Sequence, residues 1–109
     1  MSVENEGSYK NMKKYALYAW HSDDSHGIDV CYAKDFSPYK GYDVVFGPNT
    51  RPSQLITEFD SLSEAANAYV EYFGLLEDEF IDEVMEEIKY RLYCFHDDNG
   101  EYEEAQKYE

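Results

Sequence analysis

Three histidines, two cysteines and 24 carboxylates are the side chains with which this 109-residue chain could do chemistry. His21 and His26 bracket Asp23 and Asp24, and His96 precedes Asp97 and Asp98. A zinc site needs ligands at short, recognisable spacings, with a partner pair from a second element. No C-x-x-C, H-E-x-x-H or H-x-x-x-H is present. Asp97-Asp98-Asn99-Gly100-Glu101 has residue types found in a calcium loop, but neither the D-x-D-x-D-G spacing nor a distal glutamate at position twelve. Turn chemistry accounts for both stretches, so no metal and no cofactor is expected.

Thiol catalysis would require Cys31 or Cys94 beside a histidine. Cys94 is two residues from His96, but negative surroundings raise a thiol's pKa and disfavour the thiolate. Paired carboxylates of the glycosidase kind arise by chance among so many acids and carry no information. No catalytic residue is assigned, and the chain reads as a non-enzyme. Met1 to Lys14 hold no signal-peptide core, and no apolar run approaches the ~20 residues of a membrane span. Two reduced, half-buried thiols in a cytoplasmic protein are therefore expected.

The net charge of −15 is unevenly spread. Residues 1–57 hold 7 acids and 6 bases, whereas residues 58–109 hold 17 acids and 3 bases. Affinity for phosphates comes from Lys and Arg, so direct nucleic-acid binding is not expected. Glu77, Asp78, Glu79, Asp82, Glu83, Glu86 and Glu87 fall within eleven residues without a base among them. On a helix this is about one charge per 2.4 Å of axis, the same order as duplex DNA at about one per 1.7 Å. The like-charge pairs Asp78–Asp82, Glu79–Glu83, Asp82–Glu86 and Glu83–Glu87 together cost roughly 1–2 kcal/mol. The helix dipole at Glu77 to Glu79 and pairing of Glu87 with Arg91 or Glu86 with Lys89 offset part of this. A helix that needs only to be soluble mixes its signs. The run therefore reads either as a solvated outer face or as a surface on which Arg and Lys of another protein dock, with Asp97 and Asp98 extending it. Tyr90 belongs to the second reading, because tyrosines among acids can receive cationic side chains on their rings.

In the segments 77-EDEFIDEVMEE-87 and 97-DDNGEYEEAQKYE-109 the chain resembles small acidic phage-encoded inhibitors of host defence, the DNA-mimic anti-CRISPR and antirestriction proteins. The resemblance is one of composition. It implies an inhibitor that occupies the nucleic-acid-binding cleft of a basic protein (a CRISPR effector, a restriction enzyme or a nuclease) in the host bacterial cytoplasm, as a monomer or homodimer. Bacterial immunity proteins against nuclease toxins share this size and acidity. A structural or adaptor module that binds through its tyrosines and apolar helix stripe is the other alternative.

The elements that must position these side chains form a single domain over 1–109. Residues 1–11 read as a frayed terminus. Alternation predicts strands over Lys14–His21 and Ile28–Lys34, a short strand over Tyr42–Phe46, and a fourth over Ser53–Phe59 with Leu55, Thr57 and Phe59 on one face. Short connections predict an antiparallel meander. Ser61 and Glu64 fit a capping box before an apolar stripe of Leu62, Ala65, Ala66, Tyr69, Val70 and Phe73, closed by Gly74. A second helix is predicted over Leu76–Phe95 with Phe80, Val84, Met85, Ile88, Leu92 and Phe95 inward, then a turn at Asp98-Asn99-Gly100 and an acidic tail of uncertain order over 101–109. Tyr15, Tyr18, Tyr32 and Tyr69 are expected in the core with their hydroxyls at its rim. The class is α+β, a small antiparallel sheet of three to four strands followed by two helices on one face.

Overall fold

The computed structural model describes residues 13–21, 25–38, 51–75 and 77–109. Strands β1 (Tyr15–His21), β2 (His26–Tyr32) and β3 (Arg51–Phe59) make an antiparallel sheet in the order β2-β1-β3. Helices α1 (Leu62–Phe73) and α2 (Glu77–Asp98) follow, then a short helix α3 (Tyr102–Gln106). α1 lies against β3, α2 against β2, and the two helices pack on each other, an α+β arrangement. The expected strand over Tyr42–Phe46 and the N-terminal residues 1–11 lie outside the described residues.

β3 joins β1 rather than β2, so the described strands are not a meander. The reason lies in β1, whose Tyr15, Ala16 and Leu17 are all buried. A strand apolar on both faces is best placed centrally, and the long connection between β2 and β3 lets the chain return to its free side. β2 starts at His26 and ends at Tyr32, because Ala33–Asp35 turn into a 3-10 helix and the Ala33 amide bonds the Lys14 carbonyl at 2.9 Å.

β3 departs from strict alternation. Leu17 pairs with Thr57 and Tyr18 with Leu55, which leaves Ile56 as an extra residue in a bulge. One inserted residue exchanges the faces of all that follows. Phe59 is therefore buried as expected, whereas Leu55 is turned outward and is 42% exposed.

α1 opens on the predicted capping box: the Ser61 hydroxyl accepts from the Glu64 amide at 3.2 Å, and the Glu64 carboxylate accepts from the Ser61 amide. It closes at Gly74, whose φ of 68° is the left-handed conformation that glycine adopts without strain. Ala65, Ala66 and Val70 are buried, and the small pair lets the helix approach the sheet closely. α2 buries Val84, Ile88 and Leu92, with Ile81, Met85 and Phe95 packed beside them. Phe73 and Phe80, predicted as inward stripe residues, stand at the stripe ends and are 45% and 39% exposed.

α2 continues three residues past its predicted end because His96 belongs to the core. Its ring is fully buried, with Nε2 2.8 Å from the Tyr15 hydroxyl and Nδ1 2.9 Å from Glu101 Oε1. The acidic tail is folded back over this ring. Ala105 of α3 is buried, and the Tyr108 ring stacks parallel to His96 with centroids 5.8 Å apart. Tyr15 accordingly has its hydroxyl inside the core, not at the rim.

Candidate protein-docking surface

The sequence makes α2 amphipathic, and its apolar stripe fixes which acids face away from the sheet. Asp82, Glu86, Tyr90 and Asp97 recur at helical spacing on the side opposite Val84, Ile88 and Leu92, and all four are exposed. Tyr90 is 57% exposed between Glu86 and Asp97. Glu83 and Glu87 occupy one flank, also exposed, and Asp98 continues that flank in the last turn. Glu87 Oε2 accepts from Arg91 Nε at 2.8 Å, an i,i+4 pair. Glu77, Asp78 and Glu79 form the first turn of α2, and their side chains lie outside the described residues.

The structure divides the acids of the C-terminal half into two groups. Glu58, Asp60 and Glu64 are engaged with the start of β1. Glu58 and Asp60 accept the amides of Lys13 and Lys14 at 3.4 and 2.9 Å, and Glu64 pairs with the Lys13 ammonium. That ammonium holds the Glu64 carboxyl below its usual range, while the lysine's own pKa is raised by Glu64. Glu101 is held low by its bond to His96 and also accepts the Tyr32 hydroxyl at 3.0 Å. Glu104 is held low by Lys107, 3.0 Å away, and meets Lys14 at 3.8 Å. Among the described residues, no ion pair reaches Asp82, Glu83, Glu86 or Asp97. The excess negative charge is thus spent on the fold at one end of the molecule and left open along α2.

Beside this surface is a groove of about 980 Å³, between the His21–His26 end of the sheet, the C-terminal end of α1 and the first half of α2. Tyr72, Phe73, Leu75 and Phe80 line it, each between 37% and 45% exposed, and Glu83 and Glu87 stand on its α2 side. Trp20 also lines it and lies against Gly27, its cross-strand partner; a Cβ at Gly27 would meet the indole at 2.8 Å. Periodicity places Phe73 and Phe80 in the core, but they are the last and first residues of their stripes and open into this groove instead.

A second pocket of about 490 Å³ is lined by Asp29, Cys31, Arg91, Cys94 and Asp98 among others. Both thiols are half-buried, and no disulfide links them. Burial pushes the Asp29 carboxyl up, and it pushes the neighbouring Tyr18 hydroxyl to about 12. Among the described residues, no group of three His, Cys, Asp or Glu side chains is placed to hold a metal ion, and no helix is long and apolar enough to cross a membrane. Compared with protein-family models, with curated proteins and with solved structures, the chain matches none.

Proposed function

We propose that this protein is an inhibitor that docks the exposed face of α2 onto the basic, nucleic-acid-binding cleft of another protein, in the manner of a DNA mimic. The observation that supports it is the row Asp82, Glu86 and Asp97, with Glu83 beside it, whose carboxylates form no ion pair among the described residues. Arg and Lys that normally hold phosphates would be drawn to such a row at long range, and Tyr90 offers them a ring face within it. The target class is a CRISPR effector, a restriction enzyme or a nuclease.

The test is affinity capture from bacterial lysate at low salt, with wild type and with Asp82→Lys combined with Glu86→Lys. Wild type should retain nucleic-acid-binding proteins that are released by salt and by competing duplex DNA. The variant should lose them while its melting temperature holds or rises, because like-charge repulsion along α2 is relieved. Capture that survives both charge reversal and competing DNA would assign the acids to solvation alone.

A further inference from the structure

We infer that the groove beside α2 is a binding site for an amphipathic peptide segment that alternates arginine or lysine with apolar side chains. The inference rests on the docking reading above and specifies which part of the basic partner the protein grips apart from its phosphate-binding cations. Four of the large apolar side chains that the protein leaves exposed, Tyr72, Phe73, Leu75 and Phe80, gather at this one concavity. An apolar cluster of this kind, walled on three sides and rimmed by charge, is the usual form of a binding groove.

Charge selects the occupant. Glu83 has no ion pair among the described residues, and Glu87 holds Arg91 through one carboxylate oxygen. Both line the groove on the same wall as Phe80. Arg91 also lines the groove but is already paired with Glu87, so Glu83 is left as the carboxylate there without an ion pair among the described residues. A guanidinium can bond it while lying over Trp20, Tyr72 or Phe80. A simple hydrocarbon would leave the wall's carboxylates unused. Apolar side chains between the cations fill the remaining volume against Phe73 and Leu75.

Trp20 is the sole tryptophan of the chain and lines the groove, so its emission reports occupancy directly. The experiment titrates the full chain with short capped peptides of alternating arginine–leucine, glutamate–leucine and arginine–serine. The arginine–leucine peptide should change Trp20 emission saturably, with at least about tenfold higher affinity than either control. Phe80→Ala, and separately Glu83→Gln with Glu87→Gln, should each weaken it by about tenfold with circular dichroism unchanged. Equal binding of the glutamate–leucine peptide would show an indifferent apolar surface. Equal binding of the arginine–serine peptide would show charge attraction without insertion. Either result, or silence of Trp20 towards all three, overturns the inference. The uncharged pair Asp82→Asn with Glu86→Gln lies off the groove lining and should weaken the peptide clearly less than Glu83→Gln with Glu87→Gln, by no more than about threefold at physiological salt. Peptide binding without lysate capture would sink the inhibitor reading alone, and capture without peptide binding would sink this one alone.

Discussion

The hydroxyl of Tyr15, the first residue of β1, is hydrogen-bonded to Nε2 of His96, 81 positions later in the chain, at 2.8 Å. The carboxylate of Glu101 accepts from Nδ1 on the other side of the ring, so in the neutral imidazole Nε2 is the acceptor for the Tyr15 hydroxyl. Tyr32 and Tyr108 close the cluster, the first bonding Glu101 and the second stacking on the imidazole. Burial drives the Tyr15 hydroxyl pKa strongly upward, so it keeps its proton throughout the accessible range. This chain of groups joins the first strand, the end of the long helix and the C-terminal segment into one unit.

His96→Phe keeps the ring and removes both bonds. It leaves the Tyr15 hydroxyl with only its longer, 3.4 Å contact to the Tyr108 hydroxyl and should cost about 1–3 kcal/mol in urea unfolding. Tyr15→Phe combined with His96→Phe should cost less than the two changes separately add up to, because the second removes a partner already lost.

Acid should weaken the fold through the engaged carboxylates. Glu64 and Glu101 have folded pKa values below their ordinary 4.5, so in that window the unfolded chain binds more protons. Their contribution is complete above the ordinary value and is lost as the pH falls through it towards the folded value. Melting temperatures between about pH 3 and 6 should show this slope, and Glu101→Gln should flatten it.

Asp29 has the opposite sign. Burial raises its pKa above the ordinary 3.8, so its ionised form is a cost to the folded state at neutral pH. Lowering the pH through the raised value relieves that cost. Asp29→Asn should therefore raise the urea midpoint at pH 7, and the gain should shrink at acid pH.

The cap of α1 is open to a simple measurement. Ser61→Ala removes the bond to the Glu64 amide and should cost about 1 kcal/mol. Glu64→Gln retains the reciprocal acceptor for the Ser61 amide but surrenders the Lys13 ion pair, and should cost less in high salt than in low.

Local signals were plain in the sequence. Ser61, Glu64 and Gly74 bound α1 through bonds made within a few residues, and the period of Val84, Ile88 and Leu92 is enough to orient α2. What depends on distant partners was not legible. Leu55 continues the alternation of Phe59 in the sequence, and only the bulge at Ile56, set by pairing with β1, turns it outward. His96 reads as a turn histidine because Tyr15 is 81 residues away. Glu58, Asp60, Glu64, Glu101 and Glu104 look like more of the same acidity as Asp82 and Glu86, yet each also meets a group from the N-terminal third of the chain, Lys13, Lys14 or Tyr32. The outer acids of α2 were visible as a set, whereas the groove needed the sheet, α1 and α2 to be brought together.

The interruptions in β3 have an effect on how copies of this protein meet. Ile56 breaks its run of amides once, and a second irregularity falls opposite Ala19 to His21, while the Ser53 amide is already taken by the Pro38 carbonyl at 2.8 Å. A straight strand at the limit of a sheet invites another chain to zip onto it, and a kinked, partly occupied one does not. Among the described residues β3 borders the sheet, and these two irregularities make that border a poor template for fibre-like stacking.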